Sequence, residues 1–486
     1  MLRIVLTFLI SFAMICALPQ MPSAQVLLSD LLHQVQLQNP TIRALQHDVS
    51  ARRLQLAAEE VRYLPKLDLL ASYNYLSKPL EINLQQLKTG VVNGTSEQNV
   101  ALANDLYQEI TGNPLSQEAQ DRIYSRSQNI LNTFYPNYNP ALADQQYFVA
   151  GLFLRQPLYL GGKLKNTREL AEKEVASGEA NLSLAGNEAS FQVILAWLRI
   201  LYINSMLQSQ EKVVDALGKN LDYATSLVKN EILPPYQRNW AQIALQQARS
   251  RKQTLTGDKT NALLELNRLL SLSPDSLLQV TDSLPVFTEL TATDSRVSGN
   301  QENNPLYRFV STKTAYAATN EKLARSFRLP NLFAIGNLQL YQGALPVLMP
   351  PWMVGVELQW NIFDGFQKER RIKAAKEAYT AAKQLNDNTA ADLTLSQSVL
   401  RNKLNSFREE IAVLDSSRQQ AAMTTRMIRE RMENLLSSPK DVNEALLLEE
   451  TLAKAYYTAL LGYYGVLADY FRLLGKPEQI TSYLQP

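Results

Sequence analysis

The 486-residue chain predicts an internally duplicated α+β membrane protein with long helical hairpins and four strands per chain. Three observations predict it. An apolar strand-like run closed by glycine passes straight into a charged helical pattern twice, at "QPLYLGGKLKNTRELAEKE" from Gln156 and at "QWNIFDGFQKERRIKAAKE" from Gln359. Apolar residues then recur at alternating spacings of three and four over stretches far longer than a globular helix. Finally, an export signal is followed by no run of about 18 uninterrupted apolar residues, so any bilayer crossing falls to strands.

The charge is balanced, with 48 basic and 46 acidic residues, which argues against a general nucleic-acid binder or a polybasic membrane tether. Charged residues make up 19% of the chain and glycine is sparse, so disorder is not expected. At the N-terminus Arg3 precedes the apolar run Ile4 to Leu18 and the small-residue stretch Pro22-Ser23-Ala24. Residues 1–24 read as a cleaved signal peptide, since the run falls short of the about 20 residues a spanning helix needs. Cys16, the only cysteine, lies inside this segment, so no disulfide is expected in the mature chain. Lipidation at Cys16 is the less favoured alternative, because Ile15 is bulky where lipoprotein signals want a small residue.

The duplication shows on self-comparison. Asn39-Pro40 is followed 25 residues on by Leu64-Pro65, and Asn304-Pro305 by Leu329-Pro330 at the same distance, an offset of 265 between copies. Gly162 then pairs with Gly365 at 203, Pro234 with Pro439 at 205, and Leu270 with Leu474 at 204. The fall in offset marks one insertion of about 60 residues in the first copy. The predicted boundaries are 25–275 for the first repeat, with the insertion at about 77–144, then a linker over 276–301, a second repeat over 302–478 and a tail over 479–486.

Each copy reads helix, strand, strand, long helix, long helix. In the first, Ser29 to Tyr63 is helical, and "KLDLLASYNYL" alternates Leu67, Leu69, Ala71, Tyr73 and Tyr75 against Asp68, Ser72 and Asn74. In the second, Trp352, Val354, Val356, Leu358, Trp360 and Ile362 share one face, while Gly355, Glu357, Gln359 and Asn361 share the other. A half-buried strand in a soluble sheet would also alternate. Tryptophans ending the apolar face, with a carboxylate and amides opposite, instead fit a strand between lipid and water.

From Lys163 to about Asn230 no proline intervenes, and a straight helix of that length spans on the order of 100 Å. Coiled-coil spacing runs through Leu400, Leu404, Phe407, Ile411 and Leu414, and through Ala453, Tyr456, Leu460, Tyr463, Leu467, Tyr470 and Leu474. Pro234-Pro235 and Ser438-Pro439 break the runs and start the return helices. The junction residues Gly161, Gly162, Asp364 and Gly365 lie where strand passes into helix, and glycine absorbs the backbone change there. Four strands cannot close a membrane barrel, which needs about eight or more, so copies must combine: two would supply eight strands and three twelve.

With these residues in hand, the mature sequence resembles the TolC-like outer-membrane efflux proteins (outer membrane factors) over nearly its whole length. The paired junctions "QPLYLGG" and "WNIFDGF", the duplicated hairpins and the "LLG" near the C-terminus carry the likeness. The resemblance implies a homotrimer whose helical hairpins form a trimeric α-barrel joined to a 12-stranded transmembrane β-barrel. It further implies an exit duct of a tripartite efflux or type I secretion system, seated in outer-membrane lipid and extending into the periplasm. Its partners would be a periplasmic adaptor (membrane fusion) protein and an inner-membrane pump.

The same resemblance implies roles for particular residues. Ile232, Leu233, Pro234, Leu435, Leu436 and Ser438 fall at the hairpin tips, where the adaptor would dock, although an ordinary helix turn with leucines capping the coil explains them as well. This chain lacks the glycine the family often has there. "PKDVNEA" matches the family's acidic gate segment and puts Asp441 and Glu444 at the periplasmic gate, six carboxylates in a trimer. Their spacing of three sets both on one helix face. Ser438-Pro439-Lys440-Asp441 is equally a helix-capping pattern, which accounts for Asp441 but not for Glu444. The insertion would face outside the cell; it contains helix-like stretches, and surface protection, lumen plugging and partner binding are all open to it. The matching "GALPVLMPP" suits a membrane-level rim.

Signals for catalysis are lacking. His33 and His47, the only histidines, stand 14 apart without metal-ligand spacing, and Gly161-Gly162-Lys163 lacks the remaining residues of a phosphate loop. No nucleophile elbow occurs either. The reading is therefore a channel that is no enzyme and takes no cofactor, no metal and no nucleic acid. The alternative, a periplasmic coiled-coil scaffold without a pore, explains the heptads but leaves the alternating strands unused.

Overall fold

The computed structural model describes residues 27–78, 80–81, 83–135, 141–143, 145–276, 278–285, 287, 301–343 and 350–484. The expected signal segment with Cys16, most of "GALPVLMPP" and the later part of the linker lie outside these residues. The described residues fall into two compact units. One holds the chain up to Glu60, Lys165–Arg325 and the stretch from Phe366 on, and the other holds Val61–Leu164 and Ser326–Gly365.

In chain order, α1 (Leu28–Gln38) and α2 (Pro40–Glu60) precede β1 (Lys66–Tyr75). A short rung β2 (Leu80–Glu81), α3 (Gln85–Thr111), α4 (Gln117–Phe134) and the answering rung β3 (Ala141–Ala143) lead to β4 (Gln146–Tyr159). Then come α5 (Lys163–Lys229) and α6 (Pro235–Leu269). The second half repeats the series with α7 (Pro305–Ser326), β5 (Asn331–Gln342), β6 (Trp352–Gln359), α8 (Gln367–Glu433) and α9 (Pro439–Leu473), and α10 (Thr481–Leu484) closes the chain.

Apart from α1 and the inserted β2–α3–α4–β3, the two halves run in the same element order. α5 and α8 are both 67 residues long, α6 and α9 both 35, and each of these pairs starts 204 residues apart. The left-handed residues obey the same step: Gly161 with Gly365, Gly162 with Phe366, Glu231 with Leu435, and Ser271 with Gly475. The sequence pairings at 203 and 205 therefore shift by one, so that Gly161 answers Gly365 and Pro235 answers Pro439. The Asn-Pro landmarks also gain a reason. Asn39 Oδ1 accepts from Thr41 N (2.9 Å) and Ile42 N (3.3 Å), and Asn304 Oδ1 accepts from Tyr307 N (3.0 Å). Each asparagine is a helix N-cap and each proline the first helical residue, where its missing N–H costs nothing.

In the helical unit the coiled-coil positions are core. Leu400, Leu404 and Ile411 of α8 and Tyr456, Leu460, Tyr463, Leu467, Tyr470 and Leu474 in and just after α9 are buried, with Val193, Ile194, Trp197, Leu198, Ile200 and Leu201 of α5 and Leu31 and Val35 of α1 in the same cluster. An 18-residue window of α5 is apolar enough to cross a membrane by composition, yet 67% of it is buried in this core. Asn204 Nδ2 donates to the carbonyls of Val280 (3.0 Å) and Asp282 (2.6 Å), and Ser205 Oγ accepts from Leu284 N (2.9 Å). The first part of the expected linker is thus a strap on the core, with Val280 and Leu284 buried. Glu169 of α5 accepts from Lys322 Nζ (3.1 Å) and Thr319 Oγ1 (3.2 Å) of α7, and the hydrogen bond from Lys322 chiefly holds its carboxyl below the usual carboxylate range.

The second unit is a four-stranded antiparallel sheet in the order β1-β4-β5-β6, with β2 and β3 paired as a separate rung. The helix-like stretches of the insertion form α3 and α4, a helical hairpin between β1 and β4.

Candidate functional site

Cross-strand register sorts the sheet into two faces. Leu67, Leu69, Ala71 and Tyr73 stand opposite Leu154, Leu152, Ala150 and Phe148. On the same face Leu332, Ala334, Gly336 and Leu338 oppose Leu358, Val356, Val354 and Trp352. These apolar side chains are largely exposed: Trp352 is 63% accessible, Val354 72% and Val356 67%. The other face pairs Lys66 with Arg155, Asn74 with Tyr147, Asn331 with Gln359 and Phe333 with Glu357. There the Arg155 guanidinium lies 3.9 Å from the centre of the Phe333 ring and 3.7 Å from Glu357. A sheet that exposes Trp352, Val354 and Val356 on one face and carries Lys66, Arg155 and Glu357 on the other is suited to two solvents. Ile362, assigned to this face from its spacing, lies beyond the end of β6, as does Trp360, whose indole N–H donates to the Arg328 carbonyl (3.1 Å).

The sheet ends in β1 and β6, and each leaves one edge without a partner strand among the described residues. Paired edges are required wherever lipid replaces water around the backbone.

Where β4 gives way to α5, Gly161 (φ 63°) and Gly162 (φ 81°) are both left-handed. Where β6 gives way to α8, Gly365 (φ 67°) is followed by Phe366 (φ 66°), which fills the second left-handed position without being glycine. Asp364 immediately precedes this pair. Sequence inspection had no signal for Phe366, because a phenylalanine rarely takes that conformation.

At the hairpin tips both α5 and α8 end in the same backbone motif. Glu231 N and Ile232 N donate to Val228 O (3.1 Å) and Leu227 O (2.9 Å), and Leu435 N and Leu436 N donate to Met432 O (2.9 Å) and Arg431 O (2.8 Å). The left-handed positions belong to Glu231 (φ 60°) and Leu435 (φ 57°), where glycine is the usual occupant. Replacing either by glycine is expected to stabilise the fold by about 0.5–1 kcal/mol, since a side chain there costs about 1–2 kcal/mol of steric strain, part of which glycine's looser unfolded chain offsets. Denaturant unfolding of each variant measures this, and no gain would mean the tip already relaxes the strain.

Ile232, Pro234, Leu435 and Leu436 are exposed at these turns, and Leu233 and Ser438 are half-buried. Ser438 Oγ accepts from Asp441 N (3.2 Å) while Asp441 Oδ2 accepts from Ser438 N (2.7 Å), a reciprocal capping box. Glu444 takes no part in it; its carboxylate faces Lys440 Nζ at 3.6 Å on an exposed turn.

The structure adds residues that the sequence reading missed. Asn220 of α5 is buried, and its Nδ2 donates to Pro439 O (2.9 Å) and Asn443 Oδ1 (2.8 Å) of α9. Tyr223 Oη donates to Met432 O (2.9 Å) of α8. These bonds join the two hairpins just behind their tips, over a small core of Val213, Leu217, Leu245, Met432, Val442 and Leu446. An asparagine at a core-facing position of a coiled helix was the one available signal. Among the described residues no group of three or more His, Cys, Asp and Glu side chains is placed to hold a metal ion.

A two-faced antiparallel sheet whose strands feed duplicated coiled hairpins is the fold of the TolC-like outer-membrane channels, and this chain has that fold. VceC, an outer membrane protein of Vibrio cholerae, superposes with a TM-score of 0.69 at 13% identity, over 92% of this chain and 96% of its own. The CmeC outer membrane channel of Campylobacter jejuni gives 0.69 at 14% identity, over 94% and 88%. The MtrE outer membrane channel of Neisseria gonorrhoeae, in its open state, gives 0.67 at 14%, over 93% and 89%. No protein-family model matches the sequence, and no curated protein does. The resemblance read from the junctions and hairpins is met at the level of fold.

Proposed function

We propose that this protein is a passive trimeric exit duct, the outer-membrane channel of a tripartite efflux or type I secretion system. The observation that carries the reading is the sheet: one face of exposed tryptophan, valine and leucine, one face with Arg155 and Glu357, and at each end an edge without a partner strand among the described residues. Copies of the chain joined β1 to β6 would satisfy both edges and enclose a polar lumen, twelve strands in a trimer. The coiled hairpins would continue the passage into the periplasm, where an adaptor protein docks at the tips around Ile232, Leu233, Pro234, Leu435, Leu436 and Ser438, and an inner-membrane pump supplies the energy. Opening is a splaying of the hairpins at the tip. A pore-free scaffold has no use for the apolar face of β6.

Reconstitution in planar bilayers tests this. Discrete conductance steps from detergent-purified oligomer are expected, and a water-soluble monomer without conductance would sink the reading. Within that frame Asp441 and Glu444 ring the periplasmic mouth and hold cations there. Asp441→Asn with Glu444→Gln is expected to lower the cation preference of the single channel. Ser438→Ala, by contrast, should cost about 1 kcal/mol of stability through loss of the cap and leave ion preference alone. Unchanged selectivity in the double variant would reduce Asp441 to its capping role.

A further inference from the structure

The strands of the four-stranded sheet carry four charged side chains: Lys66 and Asp68 in β1, Arg155 in β4 and Glu357 in β6, with none in β5. Register puts all four on the face opposite Trp352, and all lie toward the end where β1 starts and β6 stops.

Charge within this band is unevenly matched. Lys66 and Arg155 stand directly opposite each other, a like-charge pair that costs stability. Arg155 has turned away from it: the guanidinium lies over the Phe333 ring, 3.9 Å from its centre, and meets Glu357 Oε1 at 3.7 Å. Lys66 is left exposed on the outer side of β1, and its ammonium has no ion pair among the described residues. Glu357 lies on the outer side of β6, with 43% of its side chain accessible and no partner for Oε2 among the described residues.

Strand direction decides how these two edges meet. Three antiparallel pairings in succession make β6 run opposite to β1. When β6 of one copy pairs with β1 of the next, the pairing is therefore antiparallel, with the start of β1 beside the end of β6. Lys66 is the first residue of β1, and Glu357 is two short of the end of β6. A lone cation at one edge thus comes to a half-used carboxylate at the other, on the same face and at the same end. We propose that Glu357 forms an ion pair with Lys66 of the next copy, which closes the band of charge into a ring round the lumen and fixes the register of the seam. This rests on the channel reading and deepens it. A slip of one residue turns the two side chains to opposite faces, and a slip of six carries them about 20 Å apart.

Charge exchange in the full-length assembled protein tests it. Lys66→Glu alone removes the repulsion with Arg155 inside a copy, so a purely internal role predicts an oligomer at least as stable. Across the seam it sets two carboxylates together, and the oligomer is expected to dissociate in detergent about tenfold more readily per seam. Adding Glu357→Lys should restore it. A Lys66→Glu oligomer as stable as the unaltered one, or no rescue by the exchange, would overturn the pair. Cysteines give a second measurement, since Cys16 is the only one in the chain. Inside one copy residues 66 and 357 are three strand spacings apart, about 14 Å, too far for a disulfide. Lys66→Cys with Glu357→Cys is expected to give disulfide-linked oligomers, and Ser72→Cys with Glu357→Cys few. Linkage through residue 72 instead, or through neither pair, in an oligomer that still conducts, would overturn the ion pair and leave the channel standing. An unaltered protein that is monomeric and does not conduct would take both readings down.

Discussion

Gly161→Val is expected to destabilise the protein by about 3 kcal/mol or more, through overpacking added to left-handed backbone strain. A Cβ at residue 161 would sit 2.5 Å from Leu329 Cβ and 3.1 Å from the Ser326 carbonyl oxygen, on a backbone at φ +63°. Neither neighbour is the free end of a flexible side chain, so the turn after α7 must move. Gly365 occupies the equivalent place in the second repeat, at φ +67°, with open space where its Cβ would go. Gly365→Ala should therefore cost only the backbone term, about 1–2 kcal/mol. Thermal unfolding of the two variants side by side gives the answer. A Gly161→Val protein as stable as Gly365→Ala would mean that the close approach to Leu329 is not fixed in solution.

That contrast marks where sequence reading stops. The repeats make Gly161 and Gly365 look alike, and only the packing distinguishes them. What was legible rested on periodicity and on residues with one physical use: Ser438 to Asp441 as a cap, Tyr456 to Leu474 as a coiled seam, Trp352 to Leu358 as an apolar strand face. Each is decided by its near neighbours in the chain. The helical character of the insertion was readable for the same reason, in "SQEAQDRIYSRSQNILNTF", and the structure adds Ser116 as its cap.

The rest depends on contacts that sequence spacing does not encode. The β2–β3 rung is two or three residues on each side and carries no period. Phe366, Glu231 and Leu435 sit in left-handed conformations that their side chains disfavour, so tertiary structure overrides local preference there. The strap over 278–285 looked like a linker, because what holds it is Asn204, some 75 residues away and on another element. At the tips, "SPKD" announced the cap of α9 but said nothing of Asn220, which meets the carbonyl of Pro439 from the other hairpin.

The second large effect concerns that meeting. Asn220→Ala combined with Tyr223→Phe is expected to open the tip. The pair supplies three short bonds from α5 to the second hairpin: Asn220 to Pro439 O and Asn443 Oδ1, and Tyr223 to Met432 O. At about 1 kcal/mol net for each bond, their loss removes about 3 kcal/mol from the joined state. If joined and splayed hairpins are the two states of the gate, the ratio between them shifts by about 100-fold, since each 1.4 kcal/mol is a factor of ten. Tyr223→Phe alone removes one bond and should shift it by less than tenfold. Single-channel recording reads the change as a rise in open probability, larger in the double variant than in the single one. Asn220 is buried and bonds Asn443, the neighbour of buried Val442 on α9, so its loss also tests the core, and the melting temperature must be followed in parallel. A melting temperature that falls while open probability stays constant would assign these bonds to holding the hairpins together as a fold. A rise in open probability at nearly unchanged melting temperature would assign them to the gate, because only the splaying equilibrium then feels their removal.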